Sequence, residues 1–169
     1  MDLLYYHHRY QSFVFVQYKR MTPRTGGPVY RPGGRTYEME LRRMREADLA
    51  TRTGTAPTTI REYRLWPGAF FFKLCPNVDL DADAAELIKG MYIPLDYWDV
   101  LVADARGPRG GAVVTYAGAE RWLNNTLFVS LVQDGWIGSA GATTAQLNRI
   151  VRAVLEQNHS VIVAVSSVA

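Results

Sequence analysis

Gln11-Ser12-Phe13-Val14-Phe15-Val16-Gln17-Tyr18 is the run on which the fold turns. It is dense in β-branched and aromatic residues and bounded by charge, which is the composition of a strand, and its unbroken apolar centre places that strand in the interior. A counterpart lies at the far end: residues 160–168, Ser-Val-Ile-Val-Ala-Val-Ser-Ser-Val, are β-branched almost throughout and read as a central strand. Helical signals gather in the first two-thirds of the chain and strand signals in the last third, with a strand towards each terminus. Such segregation favours α+β over alternating βαβ units. The expected architecture is several short helices packed on one small, mostly antiparallel sheet.

Between the two anchors, residues 22–34 hold two Gly-Gly pairs and three prolines and must form a loop. Thr36 is placed to cap a helix over 37–49, where Tyr37, Leu41 and Met44 share a face. Thr59 and Glu62 have capping-box spacing, which predicts a helix reaching Trp66. Pro67 then ends that helix or opens another through 69–74, bringing Phe70, Phe71 and Phe72 near the core. Further helices are expected over 84–89 and, after Pro94, over 95–105. Strands are expected over 112–116 and 126–133, the latter with Leu127, Val129 and Leu131 on one face, and a helical turn over 118–124. A capping box at 143–146 opens the clearest helix, whose Leu147, Ile150, Val151, Val154 and Leu155 form one apolar stripe.

A chain of 169 residues, 48% hydrophobic and 21% charged, has the size and composition of a single domain. We read 1–35 as a basic, Gly/Pro-rich strand and loop and 36–169 as the core. One cysteine, Cys75, leaves no internal disulfide and no cysteine-rich zinc site, which fits the reducing cytoplasm. Neither a signal peptide nor an apolar run of membrane-spanning length is evident. Net charge is +3, but residues 1–64 hold 12 Lys/Arg against 6 Asp/Glu and residues 65–169 hold 7 against 10. Tyr30, Arg31 and Arg35 stand in the basic part, a mixture compatible with a polyanion or an acidic partner peptide, while charges spread in this way ordinarily make a solvated face; a peptide or protein partner is expected rather than nucleic acid.

Asp79, Asp81 and Asp83 alternate like the start of a calcium loop, but Ala84 and Gly90 stand where its glycine and bidentate glutamate belong. His7 and His8 are adjacent, so in a strand they face opposite ways. The glycine-rich segments have neither phosphate-loop nor dinucleotide-fold context. No metal and no cofactor are expected. Cys75 and His159 are the nucleophile and base that thiol chemistry would require, with Asp79 or Asp96 to orient the imidazole.

Glu62-Tyr63-x-x-Trp66-Pro67-Gly68-x-x-x-Phe72-Lys73-Leu74 resembles bacterial papain-like cysteine peptidases of the bacteriocin-processing type. The similarity runs over roughly 48–168 and is carried by the order of segments. It implies a papain-like core in which the segment leads into a helix bearing the nucleophile. Here Pro67 stands at the nucleophile's position, Cys75 comes eight residues later, and the family's histidine-bearing strand has no counterpart. The resemblance therefore implies a degenerate relative, a pseudo-peptidase that has kept peptide recognition and lost hydrolysis, in a setting of bacterial peptide or natural-product maturation, or else a fragment lacking half of the family's site. Trp66, Pro67 and Gly68 would then join Tyr30, Arg31 and Arg35 in binding a peptide or protein partner. Two other readings stand beside it: an active cysteine hydrolase using Cys75 and His159, and a structural component of a phage or virion whose 22–34 loop orders against a neighbour.

Overall fold

The computed structural model describes residues 2–52, 56–76, 88–108, 110–141 and 161–166. Two strands, β1 (Asp2–His7) and β2 (Ser12–Arg20), form an antiparallel hairpin that pairs Leu4 with Phe15 and His7 with Ser12. The chain then passes through β3 (Val29–Tyr30) and helix α1 (Arg35–Thr51) before returning as β4 (Phe70–Cys75), parallel to β2. The short β5 (Met91–Pro94) folds back antiparallel on β4 and runs straight into α2 (Leu95–Asp104). Thereafter β6 (Val114–Thr115) pairs with β3 in a separate two-stranded sheet, α3 (Asn125–Gln133) follows, and β7 (Val161–Ser166) lies parallel to β1. The main sheet is ordered β5-β4-β2-β1-β7, with two antiparallel and two parallel pairings. The fold is α+β, and its sheet is mixed.

Side-chain alternation divides this sheet into two apolar faces. Leu4, Phe13, Phe15, Phe70, Phe72, Leu74 and Ile93 pack against Leu41 and Met44 of α1 and against Leu95, Trp98 and Leu101 of α2. Trp98 is fully buried and satisfies its indole by donating from Nε1 to Tyr37 Oη at 2.9 Å. On the other face Val14, Val16, Phe71 and Tyr92 meet Phe128 and Val132 of α3 and Ile137. Each large side chain buried in this way contributes roughly 1.5–3 kcal/mol.

Several expectations are corrected here. Residues 70–75 form a strand, because β4 is covered on both sides and so reads as an unbroken apolar run with no alternation to betray it. No helix spans 59–66, which makes a turn followed by an extended segment. The β-branched run 126–133 lies within α3: Asn124 caps it by accepting from Leu127 N at 2.8 Å, and Phe128 and Val132, four residues apart, supply the buried face. The strand expected over 160–168 is present as β7, but at the edge of the sheet among the described residues, and Ile162 and Val165, which a central strand would bury, are exposed, as is Val163. The helix expected over 37–49 is α1, entered through Gly34 rather than capped by Thr36, and that over 95–105 is α2. The stripe from Leu147 to Leu155 lies outside the described residues, as does most of the helix expected over 84–89.

Candidate functional site

The segment preceding β4 is built from its own turn. The Glu62 carboxylate accepts from Thr58 N and Thr58 Oγ1, both at 2.8 Å, and from Thr59 N at 3.2 Å. These bonds hold the Glu62 carboxyl below the usual carboxylate range, and the capping-box residues thus close a turn instead of opening a helix. Beyond it the chain is extended and runs beside 136–137. Leu65 N and Trp66 N both donate to the Trp136 carbonyl, at 2.8 and 3.3 Å, and Trp66 bridges Ile137 in parallel. Extended backbone alternates its side chains, so Arg64 and Trp66 turn inward while Tyr63 and Leu65 stay exposed.

Trp66 is fixed on three sides. Its ring meets Phe71 edge to face at 5.2 Å, its Nε1 donates to Asp96 Oδ2 at 3.1 Å, and Gly68 leaves space for the indole where any side chain would collide. Next to it is a cavity of about 540 Å³, with Pro57, Thr58, Glu62, Arg64, Pro67 and Gly141 among its lining residues. Along the same segments Ile60, Tyr63, Leu65 and Trp136 keep 94%, 51%, 65% and 45% of their surface in solvent, and the Tyr63 and Trp136 rings meet edge to face at 6.3 Å.

Arg64, 7% exposed, is the buried charged group of this wall. Its Nη1 donates to the carbonyls of Arg61 and Tyr63 at 2.7 and 2.8 Å, its Nη2 donates to the Tyr10 carbonyl at 2.9 Å, and its guanidinium lies 5.7 Å from the centre of the Tyr10 ring. Burial lowers its pKa, with Tyr10 and Glu62 acting in the opposite direction. No carboxylate among the described residues pairs with it.

Other sequence-predicted residues are not gathered here. Tyr30 packs 5.8 Å from Trp98 on the opposite face of the sheet, where burial raises its pKa strongly. Arg31 is exposed near it, and Arg35 is the exposed first residue of α1. Tyr30 and Trp66 thus pack on opposite faces of the sheet. His159 and Asp79 lie outside the described residues, and Asp96 is engaged by Trp66 and by the Tyr97 amide.

Cys75 ends β4 and is half-buried, and burial pushes its thiol pKa up more than neighbouring Lys73 pulls it down. Lys73 itself escaped sequence reasoning. It is only 1% exposed, and its Nζ sits 5.2 Å from the Tyr18 ring and 4.6 Å from the Tyr92 ring, its cross-strand neighbours on β2 and β5. Desolvation lowers its pKa. The signal available in the sequence was a lone lysine inside an apolar run.

A serine and histidine set is also present but enclosed. Ser12 and Ser166 lie opposite His7 on the two neighbouring strands. His7 Nε2 donates to the Gln133 carbonyl at 2.8 Å, while Nδ1 and both hydroxyls are buried without partners. Among the described residues no group of three His, Cys, Asp or Glu could hold a metal, and no helix is long and apolar enough to cross a membrane. Compared with known proteins, the chain matches no family model, no curated protein and no solved structure.

Proposed function

We propose that this α+β chain is a non-catalytic peptide- or protein-binding protein that takes its partner along the groove formed by residues 56–67 and 136–141. The observation that carries the reading is the exposed Tyr63–Trp136 ring pair, with Ile60 and Leu65 also exposed along the same segment, which adjoins a cavity lined by Arg64, Glu62 and Pro67. Singly exposed apolar residues need no explanation, but a group of them rimmed by polar side chains marks a contact surface. Tyr, Trp and Arg are the residues that most often anchor such surfaces. The platform is preorganised, because the Trp136 carbonyl ties down two successive amides of the facing segment.

The papain-type resemblance enters through the same stretch: Glu62, Tyr63, Trp66 and Gly68, on which it rests, form or flank the groove, and Pro67 supplies no nucleophile. In that reading the partner is a bacterial peptide undergoing maturation, held but not cut. An active hydrolase draws less support, since burial disfavours the Cys75 thiolate. Fluorescence anisotropy with a labelled random hexapeptide pool tests the proposal, with mass spectrometry of the same mixture. Saturable binding that weakens at least about ten-fold in Trp136→Ala, without cleavage, is expected, since a central aromatic anchor is worth about 2 kcal/mol or more. Turnover that disappears in Cys75→Ser would replace this reading with the enzyme.

One observation favours a second reading, self-assembly: β7 is an edge strand with Ile162, Val163 and Val165 exposed. Light scattering that stays monomeric at high concentration counts against it.

A further inference from the structure

We infer that Arg64 receives the free C-terminal carboxylate of the bound peptide, an assignment that rests on the peptide-binding reading and adds to it the end and polarity of the ligand. A guanidinium carries five N–H donors and no acceptor. Three backbone carbonyls use three of Arg64's donors, and its Nε–H is buried with no partner. An unmet buried donor is costly, and the carboxylate that acts on this guanidinium from nearby, that of Glu62, is already taken up by Thr58 and Thr59. The same three carbonyls and Tyr10 fix the plane of the group, so the donors left over are held in place before anything binds. This is a built site whose missing partner is an anion, and it stands in the wall of a cavity of about 540 Å³.

The choice of anion follows from the neighbours. Glu62 lines the same cavity with its carboxylate already engaged by Thr58 and Thr59, and a second negative charge there penalises a phosphate dianion more than a carboxylate. A planar carboxylate can accept from the unpaired Nε–H in a charge-assisted hydrogen bond, the kind of pairing that guanidinium and carboxylate groups favour. A chain end enters a walled cavity more readily than the middle of a chain, which must leave again.

The test uses the full 169-residue chain and two equimolar pools of N-acetylated random hexapeptides, one with free C-terminal acids and one with C-terminal amides. Anisotropy reads affinity, and the ¹⁵N–¹H signal of the Arg64 Nε–H, assigned by its loss in Arg64→Lys, reads the site. The acid pool is expected to bind at least about ten-fold more tightly than the amide pool and to shift the Nε–H signal, in keeping with a hydrogen bond to a charged group. Arg64→Lys, which keeps the charge and loses the fork, should erase that preference. Glu62→Gln, an exposed change that retains an acceptor for the turn, should strengthen acid binding, and it keeps the test decisive if Arg64→Lys does not fold. Equal binding of both pools would overturn the carboxylate assignment and leave the peptide-binding reading standing. No binding of either pool would overturn both. Inorganic phosphate shifting the Nε–H at lower concentration than acetate would overturn the choice of carboxylate, and acetate shifting it while neither pool binds would make the site one for small acids.

Discussion

Gly68 lies against the indole of Trp66, and a Cβ built on it would stand 2.0 Å from Trp66 Cη2 and 2.1 Å from Cζ2. The ring cannot yield cheaply, because Phe71 and the bond to Asp96 hold it from other sides. Gly68→Ala should therefore push the indole out, break the Nε1 bond and destabilise the protein by about 1–3 kcal/mol, the range for inserting a methyl into a packed site. Denaturant unfolding followed by tryptophan emission measures it. An unchanged midpoint with unchanged emission would show that the ring moves freely.

The stacking of Phe128 on Tyr92, with ring centres 3.8 Å apart and planes 8° from parallel, seats α3 on β5. Phe128→Ala should cost about 3–5 kcal/mol by equilibrium unfolding, as for other buried aromatic truncations. A loss below about 0.5 kcal/mol would place Phe128 at the surface and refute the packing of α3.

Lys73 gives the protein a dependence on alkaline pH. Burial depresses its folded-state pKa below the ordinary 10.5, so between the two values the unfolded chain holds a proton that the folded chain has lost. Stability from this group thus rises with pH across that window, and the full cost of burying the ammonium is felt below it. Lys73→Met should be more stable than the parent at pH 7, by about 1 kcal/mol or more, since apolar replacement of a buried charge is often stabilising. The advantage should shrink as pH approaches 10.5. A difference constant from pH 7 to pH 10.5 would mean that the lysine titrates alike in both states.

Cys75 should behave as a structural thiol. With its pKa raised by burial, iodoacetamide should label the native protein slowly at neutral pH and the urea-unfolded protein fast. Rapid native labelling at pH 6 would reveal an activated thiolate.

Elements were legible where one face alone is buried or where punctuation is strong. Leu41 and Met44 gave α1 its period, Pro94 marked the entry to α2, and the β-branched run marked β2. The misread elements share a physical cause. Phe70 to Leu74 is buried on both faces, so its period of two vanished behind continuous apolarity. Residues 126–133 alternate by accident, and the real signal was the Phe128–Val132 pair behind an Asn124 cap. Local sequence also could not show that β7 is an edge, since strand order is decided by long-range pairing. Of the candidate site, the sequence singled out Trp66, Pro67 and Gly68, with Tyr63 in the same motif, whereas it passed over Arg64 and Trp136, whose places depend on two segments some 70 residues apart in sequence meeting through the Trp136 carbonyl.

Mapping amide chemical-shift changes as the random hexapeptide pool is titrated into the ¹⁵N-labelled protein tests the central claim most directly. The account predicts saturating shifts confined to 56–67 and 136–141, with Trp136 Nε1–H among the largest, and no peptide products in the same tube. Shifts centred instead on Cys75 and its surroundings, accompanied by cleavage of the pool, would contradict it.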